Sequence, residues 1–116
     1  EGLEELVRSA EENARRNNLT NIEFMVSDLS DPKAMGKLKQ KVDTLLLDPP
    51  RNGAAGVMPW ILKRRPARVI YVSCHPSTMI RDAKNLLDGG YKLTAAGVMD
   101  MFPHTAHVEA VALFEK

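Results

Sequence analysis

The sequence predicts an α/β fold in which a mostly parallel sheet ends in an antiparallel pair of strands. Apolar residues at helical spacing alternate along the chain with short apolar runs, which is typical of an α/β domain. The last two apolar runs, residues 91–99 and 108–114, have no helix between them, so we expect them to pair antiparallel. A length of 116 residues and a hydrophobic content of 44% suit one domain with its own core.

The first half of the chain begins with a predicted helix. Its apolar residues share one face at helical spacing: Leu3, Leu6, Val7, Ala10 and Ala14. Asn17 and Asn18 end this helix, because Asn tolerates the left-handed conformation. A short strand over 22–26 follows, and Pro32 at the first position favours a short helix over 32–38.

The second half contains the predicted centre of the sheet. Residues 42–47 are apolar except for Asp43 and Thr44, which is typical of a strand buried on both faces. After a stiff loop we expect a helix over 54–62, a strand over 68–73 and a helix over 76–87 that ends at Gly89 and Gly90.

The composition argues against several classes of protein. The formal net charge is +1, so no global positive field indicates nucleic acid. We interpret the local basic cluster as a solvated loop between a helix and a strand: Lys63, Arg64, Arg65 and Arg68. A single cysteine cannot form an internal disulfide, which fits the reducing cytoplasm. No signal peptide or long apolar stretch indicates insertion into a membrane.

The single cysteine, Cys74, lies where a predicted strand ends and a predicted helix begins. The unpaired N–H groups of a helix N-terminus favour thiolate over thiol. Ligands of open α/β sheets also bind at the carboxyl ends of the strands. Cys74 is therefore a candidate nucleophile, and the alternative is a small apolar side chain buried in the core.

Two carboxylates are expected at the same edge of the sheet. Asp48 opens the stiff loop Asp48-Pro49-Pro50-Arg51, which either presents groups to a flat ligand such as a base or simply connects a strand to a helix. If the last strand runs antiparallel to the others, Glu109 at its start joins Asp48 and Cys74 at one rim. Glu109 is then a candidate general base, whereas alone it is interpreted as a surface carboxylate.

Other candidates have weaker signals. Asp28 suits either a hydrogen bond to an adenine amine or a helix N-cap, and Glu1 lies where acids bind ribose hydroxyls in many nucleotide sites. Phe102 either lines a base pocket or fills the end of the hairpin. His104 and His107 have a spacing found in metal sites, but no third ligand is apparent, so no metal is expected.

Three motifs give the sequence a resemblance to a known family. They are Leu47-Asp48-Pro49-Pro50-Arg51-Asn52-Gly53, Tyr71-Val72-Ser73-Cys74-His75-Pro76 and Asp100-Met101-Phe102-Pro103-His104-Thr105-Ala106-His107-Val108-Glu109. Together they resemble the RNA uracil-C5 methyltransferases that use S-adenosylmethionine, along essentially the whole chain. Residues 53–58 and 100–105 are more similar to the branch that acts on bacterial 23S ribosomal RNA than to the tRNA branch.

The resemblance implies a partial Rossmann-like methyltransferase sheet, S-adenosyl-L-methionine as cofactor and 23S rRNA as partner. It makes Cys74 the nucleophile that attacks C6 of uracil and Glu109 the base that removes the C5 proton. The implied substrate-binding residues are Asp48, Pro49 and Phe102. The implied cofactor-binding residues are Glu1, Asp28 and Asp48. One departure is His75, where the family usually has Asn.

The resemblance also implies that parts of the family's domain lie upstream of Glu1. These are the first strands, the glycine motif, a glutamine that contacts the base, an RNA-binding domain and iron–sulfur cysteines. We therefore interpret residues 1–116 as the C-terminal part of one catalytic domain, with any iron–sulfur cluster outside this segment. Missing strands would leave residues 22–26 and one edge of residues 42–47 without partners. Because exposed apolar edges seek partners, we expect the chain alone to self-associate. Because the glycine turn is absent, we expect it to bind the cofactor weakly at best.

Three other interpretations remain open. The first alternative assigns the chain to the tRNA uracil-C5 branch instead of the rRNA branch. An amino-group methyltransferase that uses the Asp-Pro-Pro loop would need neither Cys74 nor Glu109. A non-catalytic RNA-binding module would form no covalent complex with RNA.

Overall fold

The computed structural model describes residues 1–116 and contains one four-stranded sheet. The strands are β1 (Thr44–Leu47), β2 (Arg68–Ser73), β3 (Lys92–Met99) and β4 (Glu109–Glu115). The helices are α1 (Glu4–Arg16), α2 (Met58–Arg64) and α3 (Pro76–Asp88), with short 3₁₀ helices at Ala34–Lys37 and Ala55–Val57. The predicted α/β class is confirmed.

The sheet order places the last strand in the interior of the sheet. The order is β1-β2-β4-β3, with β1 parallel to β2 and with β4 antiparallel to both β2 and β3. The predicted antiparallel return is therefore confirmed. In the register, Ser73 at the end of β2 lies opposite Ala110 near the start of β4. The start of β4 thus lies at the carboxyl edge of the parallel strands.

The core lies on the side of the sheet that α2 and α3 cover. Tyr71 and Phe114 of the sheet are buried there with Ile61 of α2 and Leu86 of α3. On α3 the inward side chains are Met79, Asp82 and Leu86, which follow helical spacing. Asp82 is the exception in this otherwise apolar row: it is charged and fully buried.

The predicted helix ends are confirmed by the backbone. Asn18 adopts a φ of 55° after α1, and Gly90 adopts a φ of 89° after α3. Both angles lie in the left-handed region that Asn and Gly tolerate. The sharp stop after α3 lets the chain enter β3 within a few residues.

Several predicted elements are wrong in detail. Residues 22–26 do not form a strand, because no strand of the chain pairs with them. The N-terminal amine donates to Met25 O at 3.4 Å, and Ser27 N–H, just after the segment, donates to Glu1 O at 2.8 Å. The strand predicted over 42–47 is limited to β1 and is not buried on both faces, since Leu46 is 64% exposed. The helix predicted over 32–38 is a 3₁₀ helix, and the helix predicted over 54–62 begins as one.

Several large apolar side chains remain exposed. They include Leu3, Leu6, Ile22, Val26 and Leu46. β1 is also an edge strand, so its outer backbone groups have no ladder partner. Self-association of the chain stays a prediction. None of the helices is long and apolar enough to cross a bilayer.

The basic cluster makes contacts within the chain. Arg64 donates to Leu38 O at 3.1 Å, and Arg65 donates to Gly89 O at 2.7 Å. Arg68 pairs with Glu115 at 3.1 Å across the antiparallel ladder. The interpretation of the cluster as a loop holds only for Arg65, because Lys63 and Arg64 end α2 and Arg68 begins β2.

Leu86→Ala should lower the free energy of unfolding by roughly 2–5 kcal/mol, because it opens a cavity in the core beside Tyr71 and Phe114. Leu87→Ala is the matched control, since Leu87 is 46% exposed and should lose less than about 1 kcal/mol. Urea unfolding of both variants makes the comparison. Equal losses would contradict the assignment of the buried face of α3.

Candidate active site

Two cavities lie at the carboxyl edge of the parallel strands. The larger has a volume of about 600 Å³, and its lining includes Glu1, Asp28 and Asp48. The smaller has a volume of about 290 Å³ and is lined by six residues: Arg51, Cys74, Phe102, His107, Val108 and Glu109. The sequence-predicted residues therefore divide between two neighbouring sites.

The smaller cavity brings together residues from three separate parts of the chain. Cys74 joins β2 to α3, and Glu109 is the first residue of β4. The pairing of Ser73 with Ala110 places these two residues side by side at the sheet edge, as the antiparallel course of β4 predicts. Phe102, which is 51% exposed, comes from the connection between β3 and β4. A thiol and a carboxylate thus face one pocket with an aromatic ring at its mouth.

The turn that carries Cys74 is fixed by side chains of its own segment. Ser73 is buried, and its hydroxyl donates to His75 O and accepts from His75 N–H, both at 3.0 Å. Thr78 Oγ1 lies 3.0 Å from His75 O. Cys74 is partly buried, lies between the hydrogen-bonded residues Ser73 and His75, and lines the smaller cavity. His75 Nδ1 is buried without a hydrogen-bond partner.

Carboxylates held by the backbone line the larger cavity. Glu1 Oε1 accepts from the N–H groups of Gly2 at 2.7 Å and Leu3 at 3.1 Å. Asp28 Oδ1 accepts from the hydroxyl and the N–H of Ser30, and these bonds hold the pKa of Asp28 below its usual value. In each case the second carboxylate oxygen makes no hydrogen bond within the chain. Both side chains are therefore oriented by the backbone, and each keeps one oxygen free to accept from a ligand.

Residues 48–54, here called the wall loop, contribute to both cavities. Six of its seven residues line the larger cavity, whereas Arg51 lines the smaller one. Asp48 and Pro49, expected on the substrate side, thus lie on the larger cavity, and Arg51 is a lining residue that the sequence analysis did not single out. The two prolines fix φ at successive positions, so the loop is stiff where it separates the cavities.

Helix α3 holds the wall loop by three hydrogen bonds. Thr78 Oγ1 lies 2.9 Å from Arg51 O, and Arg81 Nη2 donates to Asn52 O at 2.9 Å. The N–H of Ala54 donates to Asp82 Oδ2 at 2.7 Å. The contacts come from the first two turns of the helix that starts just after Cys74. The loop is therefore tied to the same rigid element as the thiol.

Asp82 is the centre of this arrangement. Its carboxylate is fully buried and accepts from Tyr71 O–H at 2.7 Å as well as from Ala54 N–H. Arg81 Nε and Nη2 donate to its other oxygen at 3.0 and 2.8 Å. Burial, and then Asp82, raise the pKa of Tyr71, so this hydroxyl stays protonated and remains a donor. Sequence reasoning missed Asp82, although a charged residue on the apolar face of a predicted helix was a usable signal.

Gly53 is required where the wall loop meets α3. Its φ is +80°, and a Cβ at this position would lie 2.5 Å from Asp82 Oδ2 and 2.7 Å from Arg81 Nη2. Because Asp82 is fixed by several donors, the carboxylate cannot move away cheaply. A larger residue would push the loop off the helix.

The histidines considered as metal ligands do not meet a third donor. No group of three His, Cys, Asp or Glu side chains in the chain is arranged to hold a metal ion. His107 lines the smaller cavity, while His104 lies in the turn between β3 and β4 with a φ of 65°.

Comparison with known proteins adds independent findings. A family model described as tRNA (Uracil-5-)-methyltransferase matches residues 4–116. The 23S rRNA (uracil(1939)-C(5))-methyltransferase RlmD of Aliivibrio salmonicida is 49% identical over 117 residues, which cover 100% of this chain and 27% of that protein. The protein of the same name from Edwardsiella ictaluri is 50% identical over 116 residues, covering 99% of this chain and 26% of that protein.

A solved structure shares the fold. The crystal structure of Pyrococcus abyssi tRNA (uracil-54, C5)-methyltransferase in complex with S-adenosyl-L-homocysteine matches with a TM-score of 0.83 at 33% identity. The match covers 98% of this chain and 27% of that protein. The chain thus spans about a quarter of the length of these relatives, and its sheet is that of the methyltransferase fold.

Gly53→Ala should lower the free energy of unfolding by roughly 1–3 kcal/mol, because a side chain at this positive φ is strained and also collides with Asp82. Gly36→Ala is the control, since a Cβ at Gly36 would meet nothing within 4 Å. Urea unfolding measures both. A Gly53→Ala variant as stable as the control would show that the wall loop is not pressed onto α3.

Proposed function

Because the chain belongs to the tRNA (uracil-5-)-methyltransferase family, which its residues 4–116 match, we propose that it contains the catalytic centre of an RNA uracil-C5 methyltransferase. The proposed substrate is 23S rRNA, since relatives 49–50% identical to the chain carry that activity in their names. The single observation that carries the proposal is the cavity shared by Cys74 and Glu109, next to a larger cavity lined by carboxylates.

The larger cavity offers hydrogen-bond acceptors that fit S-adenosyl-L-methionine. The free carboxylate oxygens of Glu1 and Asp28 can accept hydrogen bonds from ribose hydroxyls and an adenine amine. Asp48 adds negative charge beside a ligand that carries a positive sulfur. When bound, the cofactor supplies a methyl group as an electrophile. A related protein binds S-adenosyl-L-homocysteine, which supports this assignment.

Cys74 is proposed as the nucleophile. C5 of uracil is too weak a nucleophile to accept a methyl group without activation. Addition of the Cys74 thiolate to C6 forms a carbon–sulfur bond and leaves an enolate whose negative charge is shared between C5 and the C4 oxygen. Cys74 lies two residues before the first residue of α3, and its side chain lines the smaller cavity where the uracil is proposed to bind.

Glu109 is proposed as the base that completes the reaction. After methyl transfer, C5 carries both the new methyl group and its original proton. Removal of that proton by the Glu109 carboxylate lets the electron pair form the C5–C6 double bond, and the Cys74 thiolate leaves. Cys74 and Glu109 line the same cavity, so a single bound uracil can contact both side chains without moving between sites.

The remaining lining residues are proposed to hold the target uracil. A uracil in RNA must leave its stack to reach the thiol, and an exposed aromatic ring such as Phe102 offers a surface for it. The resemblance also assigns Asp48 and Pro49 contacts with the edge of uracil, which they would reach past the wall loop, because both line the larger cavity. Arg51 places a permanent positive charge beside the position of the enolate.

The proposal is tested with the complete product of the gene, S-adenosyl-L-methionine and transcripts of 23S rRNA and tRNA. Mass spectrometry of the digested RNA should show 5-methyluridine in the rRNA transcript. If 5-methyluridine forms only in tRNA, the substrate assignment moves to the tRNA branch. Methylation of a base amino group, or binding without methylation, would contradict the proposed reaction.

Cys74→Ala should abolish 5-methyluridine formation while leaving the fold intact, because no other thiol of the chain can attack C6. Nucleoside analysis after incubation with 23S rRNA measures the product, and circular dichroism checks the fold. Normal turnover by this variant would remove the nucleophile assignment and favour an amino-group methyltransferase.

Glu109→Gln should allow addition and methyl transfer but block release, because the amide cannot remove the C5 proton. A methylated protein–RNA adduct should accumulate and be visible on a denaturing gel. Glu115→Gln, at the other end of β4, is the matched control and should turn over normally. Loss of methyl transfer without any adduct would place the role of Glu109 before the methyl transfer step.

A further inference from the structure

We propose that Asp82, with Arg81 and Thr78, is a positioning residue that fixes the wall loop, which separates the two cavities, relative to the Cys74 thiol. This inference rests on the proposed function and adds residues that contact neither ligand. The observation behind it is that α3 both begins at the thiol and holds the wall loop that separates the cavities.

The geometry makes α3 a rigid link. Cys74 lies two residues before the first residue of α3, and the three contacts to the wall loop come from positions 78, 81 and 82 of that helix. The Thr78 hydroxyl lies within hydrogen-bond reach of both His75 O, next to the thiol, and Arg51 O in the wall loop. A shift of the loop relative to the thiol therefore requires these bonds to break.

The Asp82 carboxylate gives the link its stiffness. It is fully buried, and each of its oxygens accepts two hydrogen bonds, so it has one favourable orientation. Its bonds tie together β2 through Tyr71, the wall loop through Ala54 and α3 through Arg81. A buried carboxylate that loses a donor has no water to replace it, so the three elements move together or not at all.

This stiffness matters for methyl transfer in particular. The methyl donor is proposed to bind on one side of the wall loop and the base on the other, and the reacting atoms must approach to about 3–3.5 Å. A misplacement of about 1 Å can slow a reaction roughly a hundredfold. A loosened wall loop should thus reduce kcat while both ligands still bind.

The test uses the complete gene product with 23S rRNA and compares Thr78→Val, Thr78→Ser and Asp82→Asn. Thr78→Val removes the hydroxyl but keeps the shape of a side chain that is only partly buried, so the protein should fold and lose no more than about 1.5 kcal/mol of stability. Its kcat should fall about 10-fold or more, with KM for RNA and for the cofactor within about 3-fold. Thr78→Ser keeps the hydroxyl and should restore most of kcat. Asp82→Asn should lower kcat more than Thr78→Val does.

The controls separate this inference from the proposed function. Asp88→Asn, an exposed position on the same helix, should leave kcat unchanged. If wild type forms 5-methyluridine and Thr78→Val keeps the wild-type kcat, the positioning role is overturned. A loss of kcat and of both affinities in proportion to lost thermal stability would also overturn it, since that is a structural effect alone. A wild type without methyl transfer would contradict the proposed function, and the positioning role with it.

Discussion

The buried carboxylate of Asp82 is the contact on which the geometry of the site depends. It joins β2, α3 and the wall loop through Tyr71, Arg81 and the N–H of Ala54. A buried acceptor that loses its hydrogen-bond donor typically costs about 1–3 kcal/mol, and more when the acceptor is charged, as the Asp82 carboxylate is. That cost keeps the three elements in one arrangement. Gly53 then follows from Asp82, because only a residue without a side chain lets the loop approach the carboxylate this closely.

The same arrangement explains how a small sheet supports a two-ligand reaction. The thiol and the carboxylate are placed by topology, since β4 returns antiparallel and starts beside the end of β2. The cavities are placed by the wall loop, whose prolines resist bending and whose carbonyls are held by α3. The reacting side chains and the cavity walls are therefore positioned by different features of the structure. Strand order places Cys74 beside Glu109, and the Asp82 contacts fix the wall loop relative to Cys74.

The sequence was informative where local patterns and topology decide the structure. The β2 strand was predicted with its observed ends, because an apolar run there is bounded by Arg68 and Ser73, and the meeting of its end with Glu109 followed from one antiparallel step. The strand predicted over residues 22–26 is not observed, because a strand requires a partner, and the resemblance had already implied that this segment has none within the chain. The role of Asp82 was not predicted, because its partners come from β2 and the wall loop and are distant in sequence.

The account is tested most directly by locating the covalent bond it requires. The complete gene product is incubated with S-adenosyl-L-methionine and 23S rRNA that contains 5-fluorouridine, in which fluorine replaces the C5 proton that Glu109 removes. Digestion and tandem mass spectrometry then identify the modified peptide. The account predicts a methylated fluorouridine nucleotide attached to the peptide that contains Cys74. An adduct on another residue, or turnover of ordinary RNA with no adduct on the fluorinated substrate, would contradict it.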